Sequence, residues 1–513
     1  MPGKTLMIQG TSSSAGKSLL ATGLCRLFSR RGLRVAPFKA QNMSNNAAVC
    51  ADGAEIGRSQ ALQAMAASVA PHSNMNPILL KPEGDTHSQV IVNGRPLQSL
   101  EASEYYAHKQ RFWGVVTSAL DRLRAENELV IIEGAGSPAE LNLADVELVN
   151  MAVARYCRSP VILVGDIERG GVFAQLLGTL WLLPPQERTL VKGLIVNKFR
   201  GDLRLFDRGT QLLESRGKVP VLGVMPWLDR LVLPEEDAAT LTDTAMDRHA
   251  KSLDDTAINI TVIHLPHIAN FDDFDPLSNE PSVRLRYARS IEQLGAPDAI
   301  VLPGTKNTLG DLNWLRTTGL ADRIVSLAGQ GAAVVGICGG YQMLGHKLLN
   351  PDRRESDWHS ADGLRLLDVE TTFLVEKQTY QVQAEVIDDT VAPGTLRQRL
   401  SGYEIHMGET FSDSAWLKRV RMGSNTNNIA FDGARSGDGR VWGCYVHGLF
   451  HNDQFRCAWL SSLGVKTRVA DVVNANDAIQ LSLNRLADAL ESHMDMNRLE
   501  QIIWHKEHLK SHV

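Results

Sequence analysis

A turn rich in glycine and serine near the start of the chain carries the residue types that hold phosphate. Residues 5–18 read TLMIQGTSSSAGKS, an apolar run followed by small residues and a Gly-Lys-Ser triplet. The backbone N–H groups of such a turn, with the N-terminus of the helix that follows, donate to phosphate oxygens. The ammonium of Lys17 suits the β- and γ-phosphates, and the hydroxyl of Ser18 suits Mg²⁺. The pattern predicts an ATP site formed by Gly10, Thr11, Gly16, Lys17 and Ser18.

Polar residues at the ends of later apolar runs are candidates to complete this site, because parallel strands end at a common edge of a sheet. Glu133 ends the run LVIIE and is expected to bind Mg²⁺ directly or through water. Either Asp52 or Glu55, in ADGAE, is a candidate second metal ligand. Asn197, in LIVNKF, is a candidate to contact the adenine base. For each of these residues, a local hydrogen bond near the surface is the alternative interpretation.

The length of the turn points to a particular group of enzymes. Five residues separate Gly10 from Gly16, where the common pattern G-x-x-x-x-G-K-[ST] has four. This longer loop resembles that of the dethiobiotin synthetase group, which forms acyl-phosphate-type intermediates from carboxylates. The resemblance implies that Lys39, in PFKAQNMS, lies near the reacting carboxylate.

The segment VGDIERGGVFAQ adds two further candidates. Asp166 ends an apolar run, and Arg169 precedes a pair of glycines. This order is typical of a loop beside bound phosphate or substrate, in which the guanidinium of Arg169 faces a carboxylate or a phosphoryl oxygen. A plain surface loop has the same composition, and the spacing does not separate the two interpretations.

A cysteine surrounded by glycines in the second half of the chain has the sequence of a nucleophile turn. Residues 333–345 read AVVGICGGYQMLG, so Cys338 lies between an apolar run and a helical segment. Small neighbours are needed where a strained backbone is closely approached. The positive end of a helix favours the reactive thiolate. We predict that Cys338 is a nucleophile, and a buried apolar cysteine is the alternative.

A nucleophilic cysteine needs a base and a site for the oxyanion. His447, in WGCYVHGLF, ends an apolar run far downstream and is the candidate base. The segment IVLPGTKNT runs from a strand into a turn, so the N–H of Gly304 or Thr305 is expected to stabilise a tetrahedral oxyanion. The N–H of Gly339 is its expected partner.

These three segments together resemble the triad-type glutamine amidotransferase domain. That family commonly has glutamate two residues after the histidine, and this chain has Leu449 there. The departure leaves two interpretations, a dyad of Cys338 and His447 or a triad whose third member comes from elsewhere in the chain.

Strands and helices must alternate to position these residues. The apolar pattern predicts two such alternating sets, one in each half of the chain. Such alternation is typical of a parallel sheet covered on both faces, so the predicted fold class is α/β with two parallel-sheet domains. The first set of strands is Thr5–Gln9, Arg34–Phe38, Leu129–Ile132, Val161–Val164, Leu194–Val196 and Val221–Val224, with a helix at Ser18–Arg31. The second set is Ile258–His264, Ala299–Leu302, Ala333–Ile337 and Val441–Val446.

Four segments follow from this pattern. We predict a P-loop, dethiobiotin-synthetase-like domain at 1–233, an acidic linker at 234–257, a flavodoxin-like glutamine amidotransferase domain at 258–453 and a C-terminal helical tail at 454–513. Within the tail, Ala478–Glu491 has the clearest helical pattern. The tail is expected to cover the second domain or a dimer interface, and the sequence does not choose between them.

The composition is that of a globular protein. The 513 residues are 43% apolar and 22% charged, which suits two or three domains. A net charge of −5 gives no general attraction to nucleic acid. The six cysteines lack paired C-x-x-C spacing, so a reducing cytoplasm is the predicted location. No apolar run has the length of a membrane span, and the oligomeric state is left open.

Longer stretches resemble the cobyric acid synthase family over nearly the whole chain. They are FKAQNMSNNAAVCADGAEIGRSQALQA, VGDIERGGVFA, LPGTKNT, GICGGYQMLG, SGYEIHMGET and YVHGLF. The resemblance implies ATP-dependent amidation of the b, d, e and g carboxylates of adenosylcobyrinic acid a,c-diamide to adenosylcobyric acid, a step of cobalamin biosynthesis. It implies ATP and Mg²⁺ as cofactors and glutamine as the nitrogen donor. Glu404 and His406, in SGYEIHMGE, belong to a family motif expected at the glutamine site or at an interface.

Two other functions remain open at this stage. Cobyrinic acid a,c-diamide synthase, or another glutamine-dependent carboxylate amidase, shares the architecture but is less similar in QNMSNN and GDIERGGVFA. A regulatory or partitioning P-loop ATPase that binds a macromolecule shares the broad superfamily of the phosphate turn. Such an ATPase has no need of a cysteine turn with a distant histidine.

Overall fold

A computed structural model describes most of the chain. The described residues are 2–84, 87–101, 104, 109–142, 147–236, 257–353, 355–356, 358–422, 429–465 and 474–504. Most of the predicted linker at 234–257 therefore lies outside the described residues. Among the described helices, none is both long enough and apolar enough to cross a membrane.

A parallel six-stranded sheet forms the centre of the first domain, and all six predicted strands are present in it. In spatial order they are Val221–Pro226, Val191–Phe199, Val161–Asp166, Lys4–Gly10, Leu129–Glu133 and Val35–Phe38. Glu133 and Asp166 are the last residues of the two strands that flank Lys4–Gly10. Because all of these strands run parallel, both carboxylates lie at the edge where the phosphate turn begins.

Helices cover both faces of this sheet. Met7 packs in one apolar core, whereas its neighbours Leu6 and Ile8 pack in another, as the alternation of side chains along a strand requires. This double burial explains the nearly continuous apolar runs of the sequence. The helices include Lys17–Arg30, Arg58–Ala66, Lys109–Glu126, Met151–Cys157, Val172–Leu182, Pro185–Arg188 and Asp207–Gly217.

Residues 41–101 contain β-structure that the sequence analysis did not predict. A four-stranded sheet consists of Gln41–Met43, Ile78–Pro82, His87–Val92 and Arg95–Glu101. A short hairpin of Ala47–Val49 and Glu55–Gly57 lies beside it and leads directly into the helix Arg58–Ala66, named here the bridging helix. These elements face the second domain, since the side chain of Gln381 donates to the carbonyl of Val49 at 2.5 Å.

The second domain also has a mainly parallel sheet. Its order is Val283–Ala288, Ile258–Ile263, Ala299–Leu302, Ala333–Ile337, Val441–Cys444 and the antiparallel edge Ala434–Arg435. The four predicted strands lie in the middle, and the two outer strands were not predicted. Helices of this domain include Asp275–Ser278, Ile291–Leu294, Thr308–Thr317, Leu320–Gly329, Gly339–Leu344 and Asp453–Ser462.

A further, mostly antiparallel sheet is the largest feature that the sequence analysis missed. Two long strands, Glu370–Val386 and Arg399–Phe411, form a hairpin that contributes residues to both the domain interface and the cysteine pocket. The pairing shifts register between Phe373 and Gln378, which interrupts the alternation of apolar and polar residues. The other strands are Lys347–Leu349, Ser360–Asp362, Leu417–Arg421 and Ile429–Asp432.

The segment predicted as a single tail is shared between the two domains. Its first helix, Asp453–Ser462, packs into the core of the second domain through Phe455 and Trp459. The helices Ala475–His493 and Met496–Trp504 pack instead on the first domain, which is neither of the two positions expected from the sequence. They complete the apolar core that contains Leu24 and Ile131.

Close packing explains this placement. A Cβ at Gly23 would lie 2.4 Å from a methyl group of Leu490, so the absence of a side chain lets the two helices approach. Ion pairs between Arg30 and Asp488 at 2.7 Å and between Arg31 and Glu491 at 2.6 Å flank the contact.

We expect the replacement Leu490→Ala to lower the free energy of unfolding by about 2–5 kcal/mol, because Leu490 is fully buried and a cavity would replace it. Leu481 lies on the same helix but is 64% exposed, so Leu481→Ala is the matched control and should change stability by less than about 0.5 kcal/mol. Denaturant unfolding of both variants measures the difference. Equal effects would contradict the placement of this helix.

Candidate active sites

The phosphate turn has the predicted strand–turn–helix geometry. The strand ends at Gly10, a short 3₁₀ turn spans Ser13–Ala15, and the helix begins at Lys17. Gly16 has a φ of +95°, and a Cβ there would lie 2.2 Å from Nδ2 of Asn197. Only glycine satisfies both conditions. The fold therefore brings the Gly-Lys-Ser triplet to the end of the strand, as the sequence predicts.

Three basic side chains surround this turn. Nζ of Lys17 donates to the carbonyls of Ser12 at 2.7 Å and Gly136 at 3.0 Å. Nζ of Lys198 donates to the carbonyl of Ser14 at 2.8 Å, and the guanidinium of Arg169 donates to the hydroxyl of Ser14 at 3.3 Å. Positive charge on three sides of a turn suits the oxygens of a polyphosphate. Lys198 was not predicted.

Asp166 holds one of these cations in place. Its carboxylate lies 2.8 Å from Nζ of Lys198 and also accepts the N–H of Glu168 at 2.9 Å. Asp166 therefore acts on the turn through Lys198. Thr11 contacts the helix Val172–Leu182, since its hydroxyl donates to the side chain of Gln175 at 3.2 Å.

Glu133 is the centre of the polar contacts beside the turn. One carboxylate oxygen accepts the hydroxyl of Ser18 at 2.8 Å and the ammonium of Lys39 at 2.9 Å, and the other accepts the amide of Gln63 at 2.5 Å. Burial alone would raise the pKa of Glu133, but Lys39 and the hydrogen bonds from Gln63 and Ser18 outweigh it and lower the pKa. The carboxylate is thus charged at neutral pH. The structure thus brings Ser18, Lys39 and Glu133, each singled out in the sequence, into contact.

The two candidates for a second metal ligand lie elsewhere. Asp52 is in an exposed turn, where its carboxylate accepts the N–H of Ala54 at 3.0 Å, and no contact among the described residues joins it to Ser18 or Glu133. Glu55 is buried between Lys81 and Lys377 at the domain interface. Burial would raise its pKa, but these two lysines lower it to about 2. Two cations therefore already match the charge of Glu55, and its role as a metal ligand remains a prediction.

Asn197 is buried against the phosphate turn, and its side chain is not exposed where it could contact an adenine base. Its side-chain amide donates to the carbonyl of Ala15 at 2.9 Å and contacts the position where Gly16 lacks a side chain. Contact with adenine remains a prediction.

The cysteine turn has the strained geometry expected of a nucleophile. Cys338 follows the strand Ala333–Ile337, has φ +52° and ψ −110°, and precedes the helix Gly339–Leu344. A non-glycine residue with positive φ is costly and persists where the surrounding structure enforces it. A Cβ at Gly340 would lie 1.9 Å from the carbonyl of Leu302, so the neighbouring strand leaves room only for glycine.

His447 lies beside the thiol and is oriented by a carboxylate. His447 and Cys338 line the same pocket, and Nδ1 of His447 lies 2.6 Å from Oδ2 of Asp273. The other oxygen of Asp273 accepts the N–H of Gly448 at 2.9 Å. Burial alone would lower the pKa of His447, but Asp273 and Cys338 raise it to about 10. The arrangement of Cys338, His447 and Asp273 is that of a triad, so the geometry favours the second of the two interpretations.

This third member comes from a different part of the chain from the usual glutamate. Asp273 belongs to the 3₁₀ turn Phe271–Phe274, 174 residues before His447. Leu449, at the position of the family's glutamate, is buried in the apolar core. The segment NFDDFD shows three carboxylates, but nothing in its spacing connects it to the histidine.

The candidate oxyanion residues lie at the same pocket. A Cβ at Gly304 would be 3.1 Å from Cε1 of His447 and 3.8 Å from Cβ of Cys338, and Gly304, Thr305 and Gly339 all line the pocket. Their N–H groups as oxyanion donors remain a prediction. His406 also lines the pocket, whereas Glu404 lies behind it, paired with Arg419 and Arg421.

Charged residues from both domains line this pocket, and the sequence analysis did not identify them. Lys81 comes from the first domain, and Lys306, Glu355 and Lys377 come from the second. Burial lowers the pKa of Lys377 to about 8, with Glu55 opposing the shift. The cysteine pocket is therefore closed in part by the first domain.

Known proteins match both halves of the chain in the predicted order. Residues 6–241 match the CobQ/CobB/MinD/ParA nucleotide binding domain family, and residues 259–455 match the CobB/CobQ-like glutamine amidotransferase domain family. These matches confirm the predicted fold class of two α/β domains.

Similar full-length proteins share one name, "Cobyric acid synthase". The relative from Chloroflexus aurantiacus is 52% identical over 492 residues, which cover 95% of this chain and 96% of the relative. The relative from Roseiflexus castenholzii is 52% identical over 467 residues, covering 90% and 92%. The relative from Herpetosiphon aurantiacus is 49% identical over 500 residues, covering 97% and 98%.

The replacement Asp273→Asn tests the triad. We expect kcat for glutamine hydrolysis to fall on the order of a hundredfold to ten-thousandfold, because a neutral amide no longer fixes the tautomer of His447 or stabilises its protonated form. Turnover with added ammonia in place of glutamine is the internal control and should stay near that of the unaltered chain. A glutaminase rate within about twofold of the original would remove Asp273 from the mechanism.

Proposed function

The chain belongs to the cobyric acid synthase family, and we propose that it amidates the b, d, e and g carboxylates of adenosylcobyrinic acid a,c-diamide with ATP and glutamine. The product is adenosylcobyric acid, an intermediate of cobalamin biosynthesis, and the cytoplasm is the proposed site of the reaction. One observation carries the proposal, namely that a single chain holds both the phosphate turn beside Glu133 and the triad around Cys338.

The first domain is proposed to make the substrate carboxylate reactive. A carboxylate is a poor electrophile because its negative charge repels a nucleophile. Transfer of the γ-phosphoryl group of ATP to the carboxylate gives an acyl phosphate with a good leaving group. Lys17 and Lys198, both bonded to the phosphate turn, offset the charge on the transferred group. Lys39, next to Glu133, is the proposed partner of the substrate carboxylate.

Ser18 and Glu133 would hold Mg²⁺ in this site. A hydroxyl and a charged carboxylate are oxygen ligands of the type that Mg²⁺ prefers, and the two lie 2.8 Å apart at the phosphate turn. Mg²⁺ binds through few protein ligands and keeps several waters, so this pair is a sufficient protein contribution. The bound ion would neutralise part of the phosphate charge.

The second domain is proposed to release ammonia from glutamine. The thiolate of Cys338 attacks the side-chain amide carbon, the protonated His447 gives its proton to the departing nitrogen, and water later hydrolyses the thioester. The raised pKa of His447 supports this role, because the ring holds a proton at neutral pH. The N–H groups of Gly304 and Gly339 are the proposed donors to the tetrahedral oxyanion.

The charges of the pocket fit free glutamine. Glutamine is a zwitterion at its α-carbon, so its site needs a cation for the carboxylate and an anion for the ammonium. The pocket provides Lys306 and Lys377 together with the partly buried carboxylate of Glu355. A glutaminyl side chain within a protein lacks both charges. The pocket therefore supports free glutamine as the nitrogen donor.

The competing functions make different demands on the molecule. If the chain were a partitioning ATPase, the Cys338 triad would have no role. Cobyrinic acid a,c-diamide synthase would use the same chemistry on other carboxylates. Incubation of the purified chain with adenosylcobyrinic acid a,c-diamide, ATP and glutamine, followed by mass spectrometry, separates these functions. We expect four added amides, and an unchanged a,c-diamide would contradict the proposed substrate.

Two replacements test the division of labour between the domains. Cys338→Ser should reduce glutamine-dependent amidation at least about a hundredfold, since the oxygen nucleophile is weaker, yet spare amidation at high ammonia. Lys17→Met should remove amidation with either nitrogen source, because phosphoryl transfer precedes both. Loss of ammonia-dependent amidation in folded Cys338→Ser would contradict the proposed division.

A further inference from the structure

The triad of the second domain rests against a side chain from the first. Arg58, the first residue of the bridging helix, lies 2.8 Å from Oδ2 of Asp272, which precedes the triad residue Asp273. The same guanidinium donates to the hydroxyl of Tyr403 at 2.7 Å. Tyr403 in turn stacks on the imidazole of His447, with 5.1 Å between ring centroids and 14° between ring planes. Arg58 therefore touches two of the residues that surround His447.

The short turn that carries Asp273 is held by the first domain at two points. The side chain of Asn270 accepts the backbone N–H of Ala47 at 3.0 Å, and Asp272 pairs with Arg58. Both contacts fall within three residues of Asp273. The orientation of a carboxylate in a single turn depends on the backbone that carries it. Contacts from the first domain therefore fix where Asp273 meets His447.

Charge explains why a cation is needed at this position. Asp272 and Asp273 are buried and Asp275 is partly buried in the same stretch of chain, and adjacent carboxylates repel one another. Burial raises the pKa of Asp272, and Arg58 opposes that shift. The groups that face this cluster include Tyr403, His447 and His451. A buried carboxylate that loses its cation is strongly destabilised, so the turn would rearrange without Arg58.

The bridging helix is itself anchored at the phosphate site. Gln63, on the same helix as Arg58, donates to Glu133 at 2.5 Å, and Gln60 accepts the side-chain amide of Asn42 at 3.1 Å. A helix rises 1.5 Å per residue, so Arg58 and Gln63 lie about 7.5 Å apart along its axis. One short rigid element therefore contacts the residues beside both active sites.

We propose that Arg58 is a positioning residue for glutamine hydrolysis, supplied by the synthetase domain to complete the active site of the amidotransferase domain. This inference rests on the proposed function. Arg58 acts through Asp272 and Tyr403 on the Asp273–His447 pair, and it does not touch the substrate. The described residues that line the glutamine pocket do not include it.

The replacement Arg58→Met tests the inference by separating kcat from KM. We expect kcat for glutamine hydrolysis to fall on the order of tenfold to a hundredfold, because a small displacement of a catalytic group is enough for such a loss. KM for glutamine should stay within about twofold. Arg58→Lys keeps the charge at Asp272 and should recover most of the rate.

Two further variants separate positioning from stability. Gln381→Leu removes an interdomain hydrogen bond to Val49 while the contacts of Arg58 with Asp272 and Tyr403 stay in place, so kcat should remain within about twofold. The double variant Arg58→Met with Asp272→Asn removes the unpaired buried charge, so it remains folded if the single variant does not. We expect its kcat to stay low, since the contact that holds the turn is absent.

Folded Arg58→Met, or the folded double variant, with a kcat within about twofold of the original would overturn the inference. An equal fall in kcat for Gln381→Leu would also overturn it, because the effect would then belong to the interface in general. Absence of glutamine hydrolysis in the unaltered chain is a different result. It would refute the proposed function itself.

Discussion

Ammonia is a nucleophile only while it keeps its lone pair, and at neutral pH in water most of it is protonated. An enzyme that takes nitrogen from glutamine must therefore release it close to the group that will accept it. This constraint accounts for the joining of the two domains by buried charge. Glu55 of the first domain lies between Lys81 of its own domain and Lys377 of the second, and Lys306 pairs with Glu83 at 2.8 Å. The three lysines of these pairs line the pocket that contains Cys338.

The same interface ties the chemistry of one domain to that of the other. The bridging helix contacts Glu133 through Gln63 and Asp272 through Arg58. Glu133 receives hydrogen bonds from Ser18 and Lys39, both at the proposed site of phosphoryl transfer. The residues proposed to activate the carboxylate and those proposed to orient His447 thus contact one short helix. The two half-reactions therefore depend on one shared interface, and the domains are not two independent enzymes joined by a linker.

Local sequence predicted those parts of the two sites that local backbone geometry determines. Cys338 was identifiable because its glycine neighbours are needed for a strained turn, and Glu133 because it ends a buried strand beside the phosphate turn. Asp273 was not identifiable, since it approaches His447 only through the fold and lies on a turn with no periodic pattern. The buried Leu449 indicated that the usual partner was missing, but not where its replacement lay. The lysine partners of Glu55 were not predictable, because the sequence of a buried carboxylate is the same whether a metal or two lysines lie beside it.

Similar reasons explain the elements that were missed. The parallel strands are buried on both faces and give continuous apolar runs, whereas the long hairpin Glu370–Val386 and Arg399–Phe411 is only partly buried and contains a register shift. The position of the last two helices depends on the fit of Leu490 against Gly23, a contact between the two ends of the chain. Neither segment alone contains a sequence pattern that predicts this contact.

The central proposal is that the two sites act as one enzyme, so that ammonia released from glutamine at Cys338 reaches the activated carboxylate before it mixes with the solvent. Its most direct test supplies glutamine labelled with ¹⁵N at the side-chain amide in a neutral buffer that contains unlabelled ammonium at equal concentration. Mass spectrometry of the product then measures how much of each isotope the added amides contain. The account predicts that nearly all added amides carry ¹⁵N. Incorporation of the two isotopes in the ratio of the bulk solution would contradict it.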